Sequence, residues 1–246
     1  MLIVSTDTEL QQPAQRQVPA AFAAMIAPES GMERQAKTGK AWPAFLVALA
    51  CALLAAFAQS SRIDASSATL QRLEKQGNLQ TMSDKQIEDE TLNTKRMGQV
   101  ATVAKGVLEA PGFLLLGALA VVAMVWLAQG KLKGRAVFPV AAAVLLPNAL
   151  ANLLDAIAAF EHRALPLSGA QLAPRTLGGI FAALGHSWEG PLGKLGNVLD
   201  FYSLWAAVMM AFGIAAAGDV PARKALWFTM IGWLLWRLLV AVGMGG

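Results

Sequence analysis

The stretch AVFPVAAAVLLPNALANLLDAIAAF, residues 136–160, decides the fold. It is 25 residues long and its only formal charge is Asp155. A helix needs about 20 apolar residues to cross the roughly 30 Å hydrocarbon core of a bilayer, at about 1.5 Å per residue. This run meets that length with little to spare. Four further stretches behave the same way: 42–59, 110–129, 201–218 and 225–245. The sequence therefore predicts an all-α polytopic membrane protein with five transmembrane helices.

Composition agrees. The chain has 246 residues, 56% of them hydrophobic and 15% charged, with mean hydropathy +0.49. Soluble domains carry about 25% charged residues. The single cysteine, Cys51, lies in an apolar run, so no intrachain disulfide can form. Two histidines without CxxC or HExxH spacing argue against a structural zinc site, and no cofactor is expected.

Charge placement predicts orientation. Residues 1–41 carry four basic and four acidic side chains, and residues 59–109 carry seven of each. The net charge of +4 comes entirely from beyond residue 110. Lys131, Lys133 and Arg135 lie in one short loop, Arg223 and Lys224 in another, and Arg34, Lys37 and Lys40 precede the first span. Five crossings put all three clusters on one side, which the positive-inside rule makes cytoplasmic. The N-terminus is then cytoplasmic and the C-terminus extracytoplasmic. Trp42, Trp126, Trp188 and Trp227 stand near span ends, where interfacial anchors sit. Basic side chains distributed this way mark topology, not a nucleic-acid surface, which would need a basic stripe with aromatics on a soluble face.

The remaining segments read as follows. Residues 1–19 are polar and predict a disordered cytoplasmic tail. The N-terminus lacks the basic start and apolar core of a cleavable signal, so the first span is expected to stay as an anchor. Residues 20–41 form an interfacial amphipathic segment, with Phe22, Met25 and Ile26 dipping into lipid or, alternatively, packing on the bundle. Residues 176–188 are apolar but short and glycine-rich, which suggests an interfacial or re-entrant piece. Residues 60–109 predict an extracytoplasmic helical hairpin broken at Gly77–Asn78. Ser83 followed by Gln86 is a capping-box pattern. Ile87, Leu92, Met97, Val100, Val103 and Val107 make a thin apolar stripe. The stripe serves either partner docking or a solvated cap, and the flanking charges favour the cap.

Several segments also resemble a known family. MIAPESGMERQAKTGKAWPAFLVAL (25–49), MSDKQIEDETL (82–92), LLPNALANLL (145–154), DFYSLWAAVMMAFGIAAAG (200–218) and ARKALWFTMIGWLLWRLL (222–239) follow, in order and spacing, the pattern of bacterial Yip-one-type proteins. That family is named for interaction with Ypt/Rab GTPases, and its eukaryotic members are five-span proteins linked to vesicle traffic. The resemblance implies a Yip-like membrane domain over 42–245. It does not imply Rab binding: the Asp-Leu-Tyr-Gly-Pro motif is missing, and Leu146–Pro147 lacks its Gly-Tyr partner. A non-enzymatic scaffold or accessory protein of the inner membrane is the expectation, partnered by other membrane proteins or by itself. A small channel, transporter or permease-accessory subunit is the alternative.

Inside the third span, Asn148, Asn152 and Asp155 are spaced by four and three residues and fall within about 60° of one helical face. Polar groups in hydrocarbon seek partners, so this face should turn inward. Arg237 is the only charge within the fifth span and sits at the depth of Asn148, which makes it the expected partner of Asp155, with Asp200 competing for it. The blander possibilities are that Asp155 meets the headgroup layer and that Arg237 snorkels outward. Catalysis would need a nucleophile, a base and an electrophile in register. His162, His186, Trp188 and Glu189 do not supply such a set, so no catalytic residue and no enzyme activity are expected. Gly213, Gly218 and the 176–185 segment give transport weak support; small residues such as Ala206, Gly213 and Ala217 more often mark close helix contacts.

Overall fold

The computed structural model of the chain describes residues 18–166, 174–185, 196 and 199–243. Most of the polar tail, and His186, Trp188 and Glu189, lie outside the described residues. Two short helices, α1 (Ala20–Ile26) and α2 (Pro28–Thr38), lead into α3 (Trp42–Arg62). Strand β1 (Ile63–Asp64) and helix α4 (Ser66–Lys75) follow, then the long α5 (Asp84–Leu127). Next come α6 (Gly134–Val144), α7 (Leu146–Glu161), β2 (Leu165–Pro166) and α8 (Leu177–Ala183). Helices α9 (Phe201–Gly218) and α10 (Ala222–Gly243) complete the bundle.

Four helical stretches are long and apolar enough to cross a membrane: Trp42–Arg62, Asp84–Leu127, Gly134–Glu161 and Phe201–Gly218. They match the first four expected spans. Helix α10 covers the fifth with 22 residues; it carries Arg223, Lys224 and Arg237 and is not among the four.

The opening run sits at the centre of the bundle. It is two helices, not one. Pro147 has no N–H to give to the carbonyl one turn back, and Leu145 tightens the junction by donating to Ala142 O at 3.2 Å. Every residue of α6 from Ala136 on is buried except Phe138, and Pro147 is fully so. Helix α3 lays Ala48, Ala52, Ala55 and Ala56 against α5 and α7. Lipid tails are as apolar as leucine, so helices in a bilayer associate through close packing of small residues. Gly106 of α5 is such a point. A Cβ there would overlap Ala56 Cβ and stand 3.2 Å from Ala52 O. Gly106→Leu is expected to cost about 1–3 kcal/mol by overpacking, read as a lower unfolding midpoint in detergent. An unchanged midpoint would show that α3 and α5 do not meet there.

The 20–41 segment packs on this bundle. Met32 and Ala24 are fully buried, while Ile26 is 85% exposed. Phe22 and Met25 rest on the main core, and Trp205 Nε1 of α9 donates to Met25 O at 3.2 Å. Buried Gln35 is satisfied by donating to Lys40 O at 2.8 Å and to Pro139 O at 3.2 Å.

The hairpin forms as its sequence predicts. Gly77 takes the left-handed conformation at φ 71° between α4 and α5. Ser83 and Gln86 close a reciprocal capping box. Arg72 of α4 pairs with Glu90 of α5, and Gln99 donates to Ser60 O at 3.1 Å, fixing α5 to the end of α3. At this hairpin end, β1 pairs in parallel with β2, Ile63 facing Leu165. Asp64 accepts the Ser66 N–H at 2.9 Å, and that backbone hydrogen bond holds its carboxyl below the ordinary aspartate range.

The other end of the bundle gathers the basic loops. Lys131 and Lys133 donate backbone N–H groups to Gly218 O at 2.8 Å and Ala217 O at 2.7 Å. Lys133 Nζ lies 2.5 Å from Asp219, and Lys224 Nζ donates to Ala128 O at 2.8 Å. These lysines satisfy carbonyls left unpaired at the C-terminal ends of α5 and α9, where the helix dipole favours a cation.

Candidate functional site

The polar face of α7 opens onto a cavity of about 360 Å³ near the hairpin end. Asn152 and Asp155 are buried and Asn148 is half-buried. All three line the cavity, together with Arg175, Asp200 and Arg237. The four residues of the expected polar cluster and the expected competitor, Asp200, thus converge on one space.

Their pairing is not the expected one. Asp155 pairs with Arg175, and Arg237 pairs with Asp200 at 2.9 Å. No ion pair joins Asp155 to Arg237 among the described residues. Arg175 lies beyond α7 in sequence, immediately before α8. Its Nη2 donates to Asp155 Oδ2 and, at 3.1 Å, to Asn152 Oδ1. Asn152 in turn donates from Nδ2 to Glu109 Oε1 of α5 at 3.0 Å. One amide therefore links α5, α7 and the segment before α8.

The second pair is built on the start of α9. Asp200 is the N-cap: its Oδ1 accepts from Tyr202 N at 2.9 Å and Ser203 N at 3.3 Å. Those donors belong to the first turn and have no intrahelical partner. Its Oδ2 accepts from Arg237 Nη2 of α10. Arg237 also donates to Ser203 Oγ, which accepts from Trp233 Nε1 at 3.2 Å as well. An isolated antiparallel bridge, Thr176 with Asp200, joins the two pairs: Leu177 N donates to Leu199 O and Phe201 N to Arg175 O, each at 3.1 Å.

The cavity is charge-balanced. Lys105, Arg175 and Arg237 stand against Glu109, Asp155 and Asp200. Charges placed within a membrane bundle are stable only when paired and facing inward, and each carboxylate here has at least one donor. Arg175 Nε and Arg237 Nε are buried without an acceptor among the described residues, and Lys105 holds no ion pair there. Arg175, Glu109, Ser203 and Trp233 escaped the sequence reading. Glu109 carried the one usable signal, since it sits directly before the second apolar run. His162 is exposed, with Nδ1 at 2.9 Å from Ala158 O, and no group of three or more potential metal ligands occurs among the described residues.

Comparison with known proteins bears on the class. The chain is 24% identical over 237 residues to "Membrane protein YknW" of Bacillus subtilis (strain 168), a match covering 96% of this chain and 94% of that protein. This chain is a multi-pass integral membrane protein. No protein-family model matches it, and no solved structure matches it. The likeness to YknW runs nearly end to end, so it takes in the hairpin and the cavity as well as the spans.

Proposed function

We propose that the chain is a non-enzymatic scaffold or accessory subunit of the inner membrane, Yip-like in architecture, with five spans. Its N-terminus is cytoplasmic and its C-terminus extracytoplasmic. Helix α10 is the fifth span in this reading: its 22 residues suffice for a bilayer, and Arg223 and Lys224 fall at the end that also holds Lys131 and Lys133. The gathering of these cations at one end of the bundle supports the orientation.

One observation carries the scaffold reading. Helix α5 has 44 residues, about 66 Å of helix and twice what a bilayer needs. Its N-terminal part, up to where Gln99 meets Ser60 at the end of α3, stands beyond the span as an arm, braced by α4, with Met97 and Val100 at its base each 66% exposed. Large apolar side chains exposed on a rigid element outside lipid mark a binding surface. In native membranes, Met97→Glu with Val100→Glu is expected to abolish co-purification with partner membrane proteins in mild detergent, while leaving the unfolding midpoint unchanged. Recovery of the same partners from the double variant would count against the arm, and recovery of the native chain alone as a monomer would count against the scaffold. Topology is checked separately: cysteines placed at Lys131 and Arg223 should label only from the cytoplasmic side, and one at Gln76 only from outside.

The polar cavity supports the second reading, a channel, transporter or permease-accessory subunit. There, substrate flux in vesicles would disappear with Asp155→Asn or Arg237→Gln.

A further inference from the structure

Helix α5 carries two charges into the bilayer, Lys105 and Glu109, and neither forms an ion pair among the described residues. Gly106 packs against Ala52 and Ala56 of α3, and Ala56 lies about 9 Å below the end of that helix at Arg62. Lys105 and Glu109, on either side of Gly106, are therefore inside the span, on the wall of the polar cavity. Glu109 accepts from Asn152 at 3.0 Å. Lys105 is exposed and makes no hydrogen bond among the described residues. Charges at this depth turn toward partners. A cation and an anion one turn apart on one helix are together neutral, so they select neither an anion nor a cation. They match a surface that offers the same two charges in return.

The face around Lys105 has coiled-coil spacing. Lys105, Leu108, Gly112, Leu115, Leu119 and Val122 recur by alternate steps of three and four. The three leucines and Val122 are exposed, and a Cβ at Gly112 would meet nothing within 4 Å. Helix α10 leans on α9 and barely meets α5, so it leaves this face of α5 uncovered. Steps of three and four make the seam of two parallel helices. A lysine on such a seam fixes register, and the position four residues on flanks the seam, where ion pairs form between helices. Gly112 lets the two backbones approach closely in lipid. Every copy of the chain inserted the same way presents this seam at the same depth and in the same direction. A two-fold axis along the membrane normal then sets Lys105 of each copy near Glu109 of the other. The offset is one turn, about 6 Å, and Glu109 leans toward the N-terminal end of its helix, which shortens it.

We propose that the membrane-embedded part of α5 is a homodimer interface, in which Lys105 of each copy pairs with Glu109 of the other and Gly112 meets Gly112 on the two-fold axis. The occupant is a second copy because one axis answers both charges at once, with no third group. A second α5 in this position also covers the side of the cavity that α10 leaves open. The interface does not rest on the scaffold reading, which is carried by the arm beyond the span and is scored by the other proteins that the chain retains.

Oxidative cross-linking of the full chain in membrane vesicles tests it, with the native cysteine removed by Cys51→Ala. Gly112→Cys should give a disulfide-linked dimer. Val107→Cys, also exposed but far round the helix from the seam, should give at least about tenfold less, because a disulfide needs Cβ atoms about 4 Å apart. Equal cross-linking at the two positions would be random collision and would overturn the proposal, as would a chain that links at neither. The charges are tested in the Gly112→Cys background. Lys105→Glu alone and Glu109→Lys alone place like charges across the seam, and each should lower the yield several-fold. Co-expressing those two variants should restore it, since every contact across the seam then joins opposite charges. That rescue separates the interface from its rivals. If Lys105 paired with Glu109 of its own chain, or reached outward to the headgroups, mixing the two variants would restore nothing, and the proposal would fail. Rescue on mixing also shows that both variants fold.

Discussion

Asp155→Ala is expected to lower the stability of the detergent-solubilised protein by about 3–5 kcal/mol, the cost of breaking a buried pair from one side. The side chains of Asp155 and Arg175 are only 5% and 15% exposed. Among the described residues, removing the carboxylate leaves the guanidinium with Asn152 Oδ1 as its one remaining acceptor, since Nε already has none there. The loss is therefore mostly the penalty of a stranded charge and not the worth of the contact. The double variant Asp155→Ala with Arg175→Met separates the two. It removes both charges together and should recover much of the loss, because buried pairs replaced by apolar residues are often close to neutral. The same cycle identifies the partner. Asp155 and Arg175 should show coupling of about 0.5–3 kcal/mol, whereas Asp155 and Arg237, which share no hydrogen-bond partner among the described residues, should add to within roughly 0.5 kcal/mol. Unfolding midpoints in urea or on heating give all of these values. Strong coupling between Asp155 and Arg237, with none to Arg175, would refute the pairing.

That cycle also marks the limit of what was legible in the sequence. Apolar run lengths announced the spans, because a bilayer imposes a length on any helix that crosses it. The Ser83–Gln86 spacing announced the start of α5, and Gly77 its turn, because caps and positive φ are local chemistry. The inward polar face of α7 was equally local, being a matter of helical phase. Partner choice was not. Matching Arg237 to Asp155 by depth along two spans assumed that the spans are neighbours. Instead α7 packs on α3, α10 packs on α9, and α9 reaches both α7 and α10. The first turn of α9 therefore offers Asp200 to Arg237 before Asp155 is in reach. Arg175 was hidden for a related reason. It belongs to a connecting segment, and what returns it to the bundle is a backbone bridge at Thr176 and Asp200 that no periodicity signals. The break at Leu145 is intermediate: Pro147 was visible, but its effect depended on whether Leu145 could reach Ala142.

Asp200 is the residue where the two pairs, the cap and the bridge meet, and its substitutions should separate by size. Asp200→Ala removes an N-cap, worth about 0.5–2 kcal/mol, and strands Arg237, whose Nε is already unmatched. The Asp200 and Arg237 side chains are 15% and 18% exposed, less buried than the Asp155 pair, so the stranding cost should fall at or below the low end of about 3–5 kcal/mol. The total still makes this one of the two most damaging single changes at the site. Asp200→Asn divides it. Asparagine caps as well as aspartate, so Tyr202 N and Ser203 N keep their acceptor, while Arg237 loses its counter-charge and retains Ser203 Oγ. Asp200→Asn should therefore cost less than Asp200→Ala by about the value of the cap. Combining Asp200→Asn with Arg237→Gln should cost less than the sum of the two, since each alone strands a charge and together they leave none. Amide hydrogen exchange supplies the readout that a general loss of stability would not. In Asp200→Ala the first-turn amides of α9, Tyr202 and Ser203, should lose protection selectively, whereas in Asp200→Asn they should not. Equal protection in the two variants would mean that the carboxylate does not cap α9, and that the helix start is held by its bridge to Arg175 and Thr176 alone.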